Sequence, residues 1–269
     1  MKKMRVQTMN KPIQIGAAIA FLLMVTVNVL ANLLPINGVR TEEVSAAYGN
    51  LFTPAGFIFS IWGLIYLLLA LYILFQIGFF RKGEQTDPGL LNQVGFFFIL
   101  SSLANVAWIF SWHYGAIFLS VLWMAVILIC LIFIAIALQG VRLSPREKFF
   151  LRLPFSVYFG WITIATIANI TTLLVYWGWK GWGLSEAFWT ILILLVGVAI
   201  GSATMLRFRD AVYGLVLIWA YMGILVRHIA ELHAQYPSVI IGVSLSLALL
   251  VVVVAILLHN SYGNRYARN

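Results

Sequence analysis

The side chains that usually carry chemistry are scarce in this chain. Its 269 residues hold 4 His, 1 Cys and 8 Asp or Glu. His228 and His233 stand five apart, which misses the i, i+4 spacing that puts two metal ligands on one helix face. There is no triad, no metal-binding cluster and no phosphate-binding glycine loop in the pattern. Glu186, Asp210, Arg227, His228 and Glu231 fall at the ends of apolar stretches. No charged group is therefore offered at mid-depth to take up and release an ion or a proton. The histidines read as solvated interface residues, Cys130 as a packing residue, and the metal ligands expected are none.

What the apolar stretches do carry is indole and carboxamide. Ten Trp is a large number for this length. An aromatic belt at the membrane surface accounts for Trp112, Trp177, Trp179, Trp182 and Trp189. Trp62, Trp123 and Trp161 lie deeper in their stretches, and Trp108 sits just inside the end of another. Asn28 and Asn32 are four apart on one helix face, with Asn105 and Asn169 in further stretches. An amide in hydrocarbon needs a partner, so each should face the bundle interior, as a tie between helices or as part of a pocket wall. Deep Trp and Asn together have the makings of a mostly apolar pocket with a few polar groups. Indole faces suit a flat aromatic or polycyclic ligand.

The elements that must position these groups follow from composition. The chain is 63% hydrophobic and 9% charged, with a mean hydropathy of +1.00. Soluble domains run near 25% charged. That composition excludes disorder, the single Cys130 excludes a disulfide scaffold, and apolar runs that are continuous and of helix length exclude a membrane β-barrel. The expected fold is all-α, a polytopic transmembrane bundle of eight spans at 13–34, 54–79, 91–111, 115–138, 152–176, 187–206, 211–229 and 238–258. Gly197-x-x-x-Gly201 would let two helices approach closely. The first run, Ile13 to Leu34, is expected to span rather than to serve as a cleaved signal.

The net charge of +9 reads as topology rather than nucleic-acid binding. With the amino terminus inside, the inner loops receive Lys2, Lys3, Arg5, Lys11, Arg81, Lys82, Arg142, Arg146, Lys148, Arg152, Arg207, Arg209, Arg265 and Arg268. Only Arg40, Lys180 and Arg227 fall outside, which accounts for all 17. Both termini are therefore expected in the cytoplasm. The segment from Pro35 to Thr53 is long for a loop; Thr41, as N-cap, with Glu42 and Glu43 in a first turn, predicts a short helix acting as a lid.

The stretch Phe52-Thr53-Pro54-Ala55-Gly56-Phe57-Ile58-Phe59-Ser60-Ile61-Trp62-Gly63-Leu64-Ile65-Tyr66 resembles the second-helix signature of the translocator protein family, also called tryptophan-rich sensory proteins or TspO/MBR. Asn105-Val106-Ala107-Trp108 is similar to the N-x-x-W of its third helix and Leu122-Trp123 to the L-W of its fourth. Trp161, Ala165 and Asn169 keep its fifth-helix spacing. One residue is missing between Phe59 and Trp62, Ala55 replaces the second proline of the P-P pair, and Tyr158 replaces a fifth-helix proline, with Pro154 about a turn earlier. The resemblance covers 13–177 as a five-helix domain. Around it stand a cytoplasmic segment at 1–12, three additional helices at 185–258 for which no motif was found, and a cytoplasmic tail at 259–269.

The resemblance implies a longer bacterial-type member in the cytoplasmic membrane. It implies a sensor or carrier of porphyrin, haem-related, sterol-like or other hydrophobic aromatic molecules. The ligand residues so implied are Trp62, Tyr66, Asn105, Trp108, Trp123, Trp161 and Asn169, under a lid formed by Thr41, Glu42, Thr53 and Pro54. No cofactor is required, and a porphyrin or haem-related compound would be the ligand. The partners expected are the lipid bilayer and a hydrophobic small molecule, with room for a homodimer. The alternative is an uncoupled transporter of a neutral or amphipathic solute. Catalysis on a bound tetrapyrrole lacks acid–base or metal apparatus in the sequence. A sterol-type pattern, Leu174-x-Tyr176-x3-Lys180, overlaps an ordinary aromatic–basic interface.

Overall fold

The computed structural model describes residues 10–34, 36–81 and 86–266. Lys2, Lys3, Arg5, Pro35, Lys82, Gly83 and Arg268, named above for charge or turn chemistry, lie outside the described residues, as does the Arg265 side chain. With short 3-10 and π turns between some of them, the described residues form ten α-helical segments. These are α1 (Lys11–Leu33), α2 (Thr41–Ala47), α3 (Ile61–Gln76), α4 (Pro88–His113), α5 (Ile117–Gln139), α6 (Pro145–Glu147), α7 (Leu153–Tyr176), α8 (Glu186–Phe208), α9 (Ala211–Val226) and α10 (Pro237–Tyr266). Among the described residues eight helices are long and apolar enough to cross a membrane, and they match the eight expected spans to within a few residues, save that the fifth begins earlier, at Pro145.

Local chemistry explains the ends. Asp87 caps α4 by accepting from the amides of Gly89 and Leu90, with Pro88 at the first helical position. Ser144 and Glu147 form a reciprocal capping box at α6, again followed by a proline. A π turn at Lys148–Arg152 joins α6 to α7. Pro154 explains it, since proline has no N–H for the carbonyl four residues back and its ring crowds that carbonyl. Likewise α3 is preceded by a 3-10 turn, Gly56–Ser60, so Trp62 stands in the first turn of the α-helix proper.

The packing has two parts. α1 packs on α4, α4 on α5, α5 on α7, α7 on α3 and α3 back on α1, which closes a ring of five. α8, α9 and α10 pack on one another and join the ring mainly through α9 against α7. The span containing α7 is therefore the most enclosed, with 72% of its apolar window buried against 28% for the first and last spans. Within the trio, Gly197 and Gly201 face α9. A methyl group there would collide with the Tyr221 hydroxyl and with Leu217 respectively, so the small residues permit that contact.

Because every span reverses direction, the loops fall at two ends. One, the lid end, gathers α2, the loop to α3, and the turns at 114–116, 177–185 and 232–236. The other gathers the segments at 77–81 and 86–87 and the turns at 140–144 and 209–210.

Candidate functional site

The buried amides make specific partnerships. Asn28 donates to the Met24 carbonyl (2.9 Å) and to Asn105 Oδ1 (2.6 Å), tying α1 to α4. Asn169 of α7 accepts from the Trp108 indole N–H (3.0 Å) and donates to Ser120 Oγ (2.9 Å), joining α4, α5 and α7. Without such partners each amide would cost several kcal/mol in hydrocarbon. The ties also fix where the apolar walls can meet.

They meet around Trp62. Its ring packs edge-to-face on Trp161 (centroids 6.1 Å apart, 82°) and is stacked on Tyr66 (5.5 Å, 23°). Phe59 reaches Trp161 from the 3-10 turn at 5.8 Å. Two cavities flank this cluster. A cavity of about 330 Å³ lies on the α1 side, lined by Asn28, Asn32, Thr41, Glu42, Trp62 and Tyr66 among others. A smaller one, about 50 Å³, lies among Ser45, Pro54, Trp62, Trp108, Trp161 and Asn169. Thr41, Phe59 and Trp62 line both, so two aromatic rings and one lid residue form the partition. The Trp161 indole N–H is buried and has no hydrogen-bond acceptor among the described residues. An orphaned buried donor of this kind costs roughly 1–3 kcal/mol.

Of the sequence-implied residues, Trp62, Tyr66, Trp108, Trp161 and Asn169 are thus brought to these walls, together with Thr41, Glu42 and Pro54 of the lid. Asn105 is fully buried and lines neither cavity; it is the partner of Asn28. Trp123 lines neither and packs, partly buried, against the general core. Thr53 is buried, with its carbonyl occupied elsewhere.

The lid is a helix, but its cap is one residue earlier than expected. Arg40 is the N-cap, and Glu43 accepts from the Arg40 amide (2.7 Å). Thr41 is freed for another task. Its hydroxyl meets His113 Nε2 at 3.0 Å, and its carbonyl accepts from the Trp112 indole N–H at 3.1 Å. His113 Nδ1 lies 3.1 Å from the Ile36 carbonyl, which can only accept, so that nitrogen carries a proton and, in the neutral ring, Nε2 accepts from Thr41. The end of α4 therefore latches the front of the lid. Trp112 is 5% exposed and His113 2%, so neither is the surface residue that the sequence predicts.

The rear of the lid is held by the trio. Arg227 Nη1 donates to the carbonyls of Asn50 and Thr53, both at 2.8 Å. The His228 Nε2 donates to the Leu51 carbonyl at 2.9 Å. These two residues open a π turn, Arg227–Glu231, that continues α9. One turn earlier the Ala55 amide donates to the Gly223 carbonyl (3.1 Å), and the Trp219 indole N–H to Ile58 O (3.2 Å). Gly223 is needed for this approach, because a methyl group there would overlap the Ile58 side chain. His228 is fully buried, a correction to its expected solvation. A lone Arg-His pair at a span end gave no hint of its distant partners.

A protein-family model described as TSPO-like protein matches residues 14–257, through α8 and α9 and most of α10. No curated protein and no solved structure matches.

Proposed function

The chain belongs to the TSPO-like protein family, and on that premise we propose that it is an integral membrane sensor or carrier for a flat hydrophobic ligand of aromatic, tetrapyrrole or sterol-like type, held beneath α2. The observation that carries this reading is the meeting of Trp62 and Trp161, from the second and fifth spans, on the wall of one cavity. Their faces supply stacking surface and apolar area. The unpaired Trp161 N–H supplies a donor for a ligand carbonyl, carboxylate or hydroxyl. Two cavities separated by Phe59, Trp62 and Thr41 supply room once the two rings turn, since ligand pockets usually need about 300 Å³ or more. No cofactor is needed for such binding.

The loop charges support an orientation with both termini in the cytoplasm and the lid end facing outward, and the resemblance to the longer bacterial branch supports a bacterial cytoplasmic membrane. The test is a tryptophan-fluorescence titration of the purified protein with a porphyrin and, separately, with a sterol. Saturable quenching by one of them, weakened in Trp62→Ala and Trp161→Ala, is expected. No saturable response to either sinks the ligand class. Ligand flux in proteoliposomes then separates a carrier from a sensor.

A further inference from the structure

A third cavity, about 350 Å³, lies away from the Trp62 cluster, between the end of α7, the turn at 178–184 and the start of α8. Its wall includes the indoles of Trp179 and Trp189, the charged side chains of Lys180 and Glu186, and apolar Leu174 and Ile193. The turn is tightly knotted: Gly178, Gly181, Trp182 and Gly183 all have φ between +50° and +81°. The knot brings the Trp179 and Trp189 rings to 4.6 Å, with Trp182 at 5.6 Å from each. Trp189 already donates its N–H to the Gly181 carbonyl at 2.9 Å. With that donor used, Trp189 offers the cavity aromatic ring surface rather than a hydrogen bond.

Lys180 and Glu186 carry opposite charges on the same cavity, yet the ion pairs formed among the described residues, Arg152–Asp210 and Arg227–Glu231, include neither. Glu186 opens α8, where the helix dipole favours its carboxylate. An ammonium is the natural occupant of a site that combines a carboxylate with indole faces, and an anion is the natural partner of Lys180. The exposed side chains of Val175 and Leu184 extend the cavity's apolar side toward lipid. Such a site is matched by a molecule with a cation and an anion a few bonds apart and a hydrocarbon tail.

We propose that this cavity binds the headgroup of a zwitterionic phospholipid, with its ammonium against Trp179, Trp189 and Glu186 and its phosphate on Lys180. A sterol would leave both charges unanswered. Moreover Tyr176, the middle residue of the sterol-type pattern, does not line the cavity and instead packs edge-on to Tyr48 at 6.0 Å. Because Gly49, Asn50 and Leu51 close one side, the lipid would touch the same segment that Arg227 and His228 hold.

The experiment uses the full chain in neutral detergent, with native mass spectrometry reading bound lipid. The probes are a short-chain phosphatidylcholine, the matching phosphatidylglycerol, and phosphocholine as a soluble competitor. The wild type should retain the phosphatidylcholine about tenfold better than the phosphatidylglycerol, and Glu186→Gln and Lys180→Gln should each lose about fivefold of that retention. Both side chains are exposed, so the fold should survive their replacement. Equal retention of the two lipids, or retention unchanged in both variants, overturns the proposal. Displacement by phosphocholine at the lipid's own concentration overturns the lipid assignment in favour of a soluble zwitterion. Porphyrin or sterol titration does not bear on this cavity, so the two proposals fail separately.

Discussion

The five-helix ring and the three-helix trio are made of similarly apolar helices but are finished differently. The ring buries amides on α1, α4 and α7 and matches them across helix boundaries, through Asn28–Asn105 and Trp108–Asn169–Ser120. Its aromatic rings then meet edge to face, and space is left between them. The trio closes by bringing the glycine face of α8 onto α9. Its links to the ring are strongest in polarity at the two ends of α9. At the far end Asp210 accepts from Ser156 and lies 4.0 Å from Arg152. At the lid end Arg227 and His228 grip the backbone from Asn50 to Thr53. The lesson is a division of labour: the ring supplies the cavity walls, and the trio holds the rear of the roof.

The largest effect should come from cutting the trio off the roof. Arg227→Ala removes two charge-assisted hydrogen bonds and leaves two half-buried carbonyls short of a donor, a loss of about 2 kcal/mol. Thermal unfolding in detergent measures the stability, and labelling of a Ser45→Cys variant reports on the space beneath α2. Unchanged stability and slow labelling would make α9 a bystander. Next come the cavity walls. Trp62→Ala and Trp161→Ala should each cost more than about 1 kcal/mol of affinity for a quenching ligand, or roughly fivefold, with Phe costing less. Equal affinity in all three proteins would reduce both residues to helix packing.

Smaller effects sharpen the comparison. Asn169→Leu strips partners from Trp108 and Ser120. Hydrogen bonds between membrane helices average about 0.6 kcal/mol, so a loss of about 1 kcal/mol of stability is expected. Thr41→Val removes one bond of the front latch and should cost about 0.6 kcal/mol while speeding Ser45→Cys labelling. If it matches Arg227→Ala, the front and rear of the lid are held alike and the lid has no stronger rear clasp. Trp177→Phe, at an exposed position, should leave ligand affinity unchanged.

What the sequence determined by itself was what depends on neighbours along the chain. Run length and hydropathy set eight spans and turn chemistry set their ends, while the depth of Trp62 and Trp161 marked them off from the aromatic belt and the resemblance to the family singled out Trp108 and Asn169 beside them. Facing was another matter. Helices that are apolar all round have no preferred inward face written in their pattern, so nothing local separated Trp161, on a cavity wall, from Trp123, which packs elsewhere. Trp112 and His113 read as surface because they end a span, and only the fold of the lid over them buries them. The rear clasp joins residues more than 170 positions apart, so no window of sequence contains both halves. Tertiary structure decided it because the buried and half-buried backbone carbonyls of the Asn50–Thr53 loop need donors from outside their own segment, and the end of α9 is what reaches them.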